Sequence, residues 1–150
     1  MKLRNRALGA LAAVLAVVTF AGAVSAADRP YTEGTVSVVS SIKVLPGKMD
    51  AYTSWLQTGW KKSMEAQKAA GIIVGYAVYF TRARHPDDPD LYLVTTYKNM
   101  AAFDGLEDRA AAAAEQALGM NQAQMSQAMA DRASMRTLIG TEVIREIVLK

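Results

Sequence analysis

The segment IIVGYAVYFT, residues 72–81, limits the possible folds more than any other part of this chain. Its β-branched and aromatic content marks a strand, yet it is apolar on both parities. Ile72, Val74, Tyr76, Val78 and Phe80 fall on one face, with Ile73, Ala77 and Tyr79 on the other. A strand with one wet face alternates apolar and polar residues, so this one is expected in a sheet covered on both sides. Residues 91–97, LYLVTTY, have the same character. The intervening RARHPDDPD, with two prolines and three aspartates, reads as a turn between the two strands.

The remaining segments supply cover for one of those faces. Residues 35–45 form a strand with Val36, Val38, Ile42 and Val44 on one side, ended by Pro46-Gly47. From residue 48 to 70 the period becomes helical, with Met49, Tyr52, Leu56, Trp60, Met64 and Gln67 on one stripe. Gly71 suits the position just past that helix. Asn99 is expected to cap a short turn through Met100 and Phe103, closed by Gly105. The alanine-rich stretch 107–118 is a helix with Glu107 and Asp108 at its positive end. Gly119 breaks it, Asn121 caps a further helix to about Met135, and residues 138–149 are a last strand. The order is β-α-β-β-α-β with an extra helical segment before the last strand. It predicts an α+β, ferredoxin-like fold, an antiparallel sheet with helices on one face. The second face is left for another sheet.

Residues 1–26 read as a secretory signal peptide. Lys2, Arg4 and Arg6 precede an apolar run from Ala7 to Ala21, and Val24-Ser25-Ala26 offers a cleavage site after Ala26. The run is shorter than the roughly 18–20 residues that a retained membrane anchor needs. Cleavage would leave residues 27–34 as an irregular lead-in and 35–150 as a single domain, periplasmic or secreted and free of the membrane. It also removes three basic residues and no acidic one, so 14 Lys+Arg then balance 14 Asp+Glu. The apparent basicity of the full chain disappears, and with it the case for nucleic acid as a partner. No cysteine is present, which excludes thiol nucleophiles, disulfides and thiolate metal sites.

The opening strand VSVVSSIKVLPGK running into DAYTSWL, the central GIIVGYAVYF and the stretch DLYLVTTYKNMAAFDGL resemble the dimeric α+β barrel superfamily, which includes antibiotic-biosynthesis monooxygenase-like domains. The resemblance spans residues 35 to 149. It implies that two sheets close face to face in a homodimer, which would account for the doubly apolar strands. The long Ala- and Met-rich stretch 107–135 departs from the superfamily's minimal pattern. Haem-binding members carry a histidine on a helix; His85, the one histidine here, lies in the turn before Pro86, so haem is not carried over and no cofactor is expected.

Few residues offer chemistry. Asp87, Asp88 and Asp90 could present oxygen ligands to calcium, but they lack EF-hand spacing and read better as a charged turn. Met120, Met125, Met129 and Met135 could suggest Cu(I) in an exported protein, although methionine more often fills irregular packing gaps. Lys43 could pair with a glutamate of the last strand, Glu142 or Glu146. Trp55, Trp60, Tyr76, Tyr79, Tyr92 and Tyr97 are the aromatic set that could line a pocket between helix and sheet. No catalytic residues and no metal site are assigned. The leading expectation is an exported homodimer that binds a small apolar or aromatic molecule, or serves a structural role, without catalysis. The alternative implied by the resemblance is a cofactor-independent monooxygenase-like enzyme acting on a small aromatic substrate.

Overall fold

The computed structural model describes residues 29–150. The leader and its cleavage site lie outside the described residues. Strand β1 (Tyr31–Val44) ends in a turn closed by a bond from the Lys48 N–H to the Leu45 carbonyl (3.0 Å). Gly47 sits there at φ 71°, a conformation that needs glycine, and Pro46 presets the position before it. A helical run follows, composed of α1 (Met49–Trp55), a π turn (Leu56–Trp60) and α2 (Lys61–Ala69). It stops at Gly71, at φ 69°, where Gly71 N–H bonds Lys68 C=O and Ile72 N–H bonds Gln67 C=O, the paired closure of a Schellman motif.

Strands β2 (Gly75–Phe80) and β3 (Leu91–Tyr97) come next, then a 3₁₀ turn (Met100–Phe103), α3 (Leu106–Leu118), α4 (Gln122–Ala133) and β4 (Arg136–Leu149). Asn121 caps α4 as its spacing suggests: its side chain accepts the Gln124 N–H (3.0 Å) and the Gln124 side chain accepts the Asn121 N–H (2.9 Å). Asn99 does not cap through its side chain; its carbonyl accepts the Ala102 N–H instead. The sheet order is β2-β3-β1-β4 with every neighbouring pair antiparallel. β1 and β2 are therefore parallel to each other with β3 between them, and the first helical run crosses from one to the other. This is the split βαβ unit, and the fold is α+β and ferredoxin-like.

Register fixes which residues meet the helices. Val36 pairs with Tyr97, Val38 with Thr95, Ser40 with Leu93 and Ile42 with Leu91, and this parity faces the core. Ile42, Val44, Tyr52, Leu56, Leu91 and Leu93 form one buried cluster; Met64, Ile72, Ile73 and Tyr97 form a second. Trp60 packs against both. Each fully buried aliphatic side chain here stabilises the fold by about 1.5–3 kcal/mol.

The opposite face carries the rows Gly75–Thr96–Ser37–Ile144, Ala77–Val94–Val39–Glu142 and Tyr79–Tyr92–Ser41–Gly140. None of these residues is buried. The helices cover one face only, and the doubly apolar strands leave the other uncovered in the single chain. Edge strand β4 is apolar on both sides and about half exposed throughout, with Val143 and Ile147 on one parity and Ile144 and Val148 on the other.

The starts of the first two strands differ most from the sequence expectation. The first strand begins at Tyr31, inside the segment expected to be irregular, because Tyr31, Thr32 and Glu33 pair with Leu149, Val148 and Ile147. A bulge at Gly34 then makes room for Glu146, whose carboxylate accepts from both the Thr35 hydroxyl (3.0 Å) and the Thr35 N–H (3.3 Å). The second strand begins at Gly75 rather than Ile72. Ile72 and Ile73 are buried in the connection, so their apolarity comes from plugging the core and not from a place in the sheet.

Burial raises the Tyr97 phenol above its ordinary value of 10.0. A tyrosine held neutral by the fold contributes stability that is fully present below the unfolded value and lost as pH rises from there through the folded one. The urea midpoint is therefore expected to fall above about pH 10, and Tyr97→Phe to flatten that fall. Equal alkaline slopes in the unaltered protein and Tyr97→Phe would contradict this.

Candidate functional site

A cavity of about 280 Å³ lies among the helices. One wall is the first helical run, through Trp55, Trp60 and Met64; α3 contributes Ala114 and α4 contributes Met129 and Arg132. The sequence opens this space by what it leaves out. α3 presents alanine where a larger side chain would fill the gap, and Gly59 in the π turn stands under the Trp55 indole. A Cβ at Gly59 would lie 3.1 Å from Trp55 Nε1, tighter than ordinary contact, so glycine lets the indole lie against the helix. π turns interrupt the regular spacing of a helix and often coincide with sites. Gly119, at φ 62°, ends α3 and turns the chain back into α4, which closes the far wall.

The floor is polar. A second cavity of about 150 Å³ shares Trp55, Trp60 and Arg132 with the first and adds Ser40 and Thr95 from the sheet and Arg136 from the start of β4. The Arg132 guanidinium lies 5.4 Å over the Trp55 ring, and that of Arg136 lies 6.0 Å over the Tyr52 ring. Burial, reinforced by the neighbouring Arg136 charge, lowers the Arg132 pKa below its ordinary value. Burial raises the Tyr52 phenol, and the two arginines oppose that rise only in part. Tyr52 Oη, Arg136 Nε and Arg136 Nη1 are buried and without a hydrogen-bond partner. No carboxylate or histidine lines either cavity among the described residues.

The six aromatic candidates separate. Trp55 and Trp60 line both cavities. Tyr76 meets Trp60 edge-on at 5.2 Å and donates its hydroxyl to Glu65, a bond that raises its pKa. Tyr97 packs in the second core cluster against Phe103, 4.9 Å between ring centres. Tyr79 and Tyr92 are cross-strand partners on the opposite face of the sheet. Met120, Met125 and Met129 form apolar wall of the cavity among the helices, while Met135 packs against the first core cluster.

The charged residues singled out in the sequence hold the turn between β2 and β3. Asp88 accepts the N–H groups of Arg84 (2.7 Å) and His85 (2.9 Å), bonds that lower its pKa. Asp90 accepts the Val44 N–H and pairs with Lys43 at 3.2 Å. Lys43 thus pairs with the turn and not with a glutamate of the last strand, since Glu146 is engaged at the Gly34 bulge and Glu142 lies two rows away on the same face, opposite Val39. Among the described residues no group of three or more His, Asp or Glu side chains could hold a metal ion.

Sequence reasoning passed over Tyr52, Arg132 and Arg136. A usable signal existed for the arginines: they stand four apart across the end of α4, and neither has an acidic residue three or four positions away.

No family model and no curated protein sequence matches this chain. Solved structures similar to it include HapK from Hahella chejuensis, at 14% identity and a TM-score of 0.48, covering 74% of this chain and 91% of that one. A dimeric ferredoxin-like protein from an uncultured marine organism is similar at 8% identity and a TM-score of 0.46, covering 79% and 90%. A candidate antibiotic biosynthesis monooxygenase from Chloroflexus aurantiacus is similar at 15% and 0.40, covering 75% and 92%. The likeness is one of architecture, the ferredoxin-like α+β arrangement that the strand order of this chain displays.

Proposed function

We propose that this protein is an exported homodimer that binds a small, largely apolar or aromatic molecule between its helices and does not transform it. The observation that carries the reading is the cavity walled by Trp55, Trp60, Met64 and Met129, a shape and lining typical of small-molecule sites. Among the described residues its lining holds no carboxylate or imidazole, which favours binding over the proton abstraction an oxygenase-like reaction requires. Self-association is supported by the uncovered sheet face and by the apolar edge strand β4, since exposed apolar surface of this extent marks interaction sites. Export rests on the leader-like residues 1–26.

Native mass spectrometry of protein purified from the cell envelope tests all three parts together. The expected species is a dimer of chains beginning at Ala27, carrying a small molecule. The chain's two tryptophans both line the cavity, so their emission reports its occupancy. Stripping the ligand is expected to shift that emission, and adding it back to restore it. A chain retaining residues 1–26, a monomer at micromolar concentration, or emission indifferent to ligand would remove export, dimerisation or the pocket respectively.

A further inference from the structure

We infer that the ligand is an amphipathic carboxylate, its apolar body against Trp55, Trp60 and the methionines and its carboxylate on the floor, received by Arg132 and Arg136. The inference rests on the binding reading above and specifies the chemical class of the ligand. Two guanidinium groups at one end of an apolar cavity repel each other and give up hydration, and neither has an anionic partner among the ion pairs of the described residues. Stacking on Trp55 and Tyr52 orients them without neutralising them. Buried donors left unbonded cost free energy, and two such atoms belong to Arg136. A small oxyanion beside Arg132 and Arg136 would offset the repulsion. Ser40 and Thr95, on the sheet beneath, add hydroxyls around the same space. Arginine favours planar carboxylates, and the floor, at about 150 Å³, is the smaller compartment, sized for a head group and not for the ligand body.

The test uses protein purified from cells expressing the full chain and three probes with one ring system: naphthoate, its carboxamide and naphthyl phosphate. Binding is read by calorimetry and tryptophan emission. Naphthoate is expected to bind about tenfold or more tightly than the carboxamide, as a charge-assisted hydrogen bond would require. Arg136→Gln and Arg132→Gln are each expected to bring the ratio of the two affinities close to one, and Arg136→Lys to keep part of it. A thermal melt supplies a separate readout. Arg136→Met removes a desolvated, unpaired charge and should leave the empty protein at least as stable, whereas an arginine with a purely structural role would lower the melting temperature. Equal affinity for naphthoate and carboxamide overturns the inference and leaves small-molecule binding standing. Preference for the phosphate overturns the carboxylate assignment. A large stability loss in Arg136→Met also counts against it. Failure of all three probes to bind removes both the inference and the reading beneath it.

Discussion

Ile42→Ala is expected to destabilise the protein by about 2–5 kcal/mol, the range for truncating a fully buried aliphatic side chain. Ile42 has 0% of its surface exposed and sits on the central strand β1, opposite Leu91 and within the cluster that contains Tyr52 and Leu56. Its neighbours are strands and a helix anchored at both ends, so the hole cannot close cheaply and the cavity contribution adds to the lost burial. Domains of this size commonly have only about 5–15 kcal/mol of total stability, so one residue would remove a large share of it. Urea denaturation followed by tryptophan emission should show the midpoint fall by about 1 M or more, given slopes of about 1–3 kcal/mol/M. Ile42→Val should cost only about 0.5–1.5 kcal/mol. A loss within about 0.5 kcal/mol for the alanine variant is the response of an exposed site and would contradict the burial described here.

Val94→Arg is expected to separate the proposed dimer while leaving the protomer folded. Val94 lies on the uncovered face in the row Ala77–Val94–Val39–Glu142, near the middle of the sheet. In the single chain an arginine there can reach water, so secondary structure and thermal unfolding of the protomer should change little. In a two-fold dimer the same patch meets itself, and each substitution enters the contact twice. Desolvating an unpaired charge costs several kcal/mol, and every 1.4 kcal/mol is tenfold in dissociation constant. Light scattering should therefore report one chain where the unaltered protein gives two. A dimer that survives Val94→Arg would move the interface from the sheet face to the β4 edge.

Much of this architecture is legible in local pattern. Residues 91–97 read as a strand and are one, and the helical stripe from Met49 to Gln67 follows the observed run closely. Asn121 announces α4 through an interaction confined to four residues. What escaped was non-local. Tyr31 to Glu33 look irregular because nothing near them favours a strand; their partners Ile147 to Leu149 lie at the other end of the chain. Ile72 and Ile73 resemble strand because apolarity records burial without recording which element does the burying. The aromatic set mixed sites for a simpler reason. Tyr76 and Tyr79 are three apart on one strand and Tyr92 and Tyr97 five apart on another, so period-two geometry forbids either pair from sharing a face. The arginines carry a local signal, standing four apart with no acidic residue three or four positions away, but that signal leaves open a partner from a distant segment, and only the fold shows there is none among the described residues.

The π turn at Leu56–Trp60 ties the cavity to a matter of counting. Such a turn amounts to roughly one surplus residue wound into an α-helix. Five residues wound as a π turn cover about the rotation that four cover in an α-helix, where each residue advances by about 100°. Wound as plain α-helix, the same residues would carry Trp60 and Met64 about 100° further round, off the cavity wall that Trp55 shares. The placement of both indoles on one wall therefore depends on the winding of one turn, and a variant that straightened it without losing a residue would keep the helix and lose the chamber.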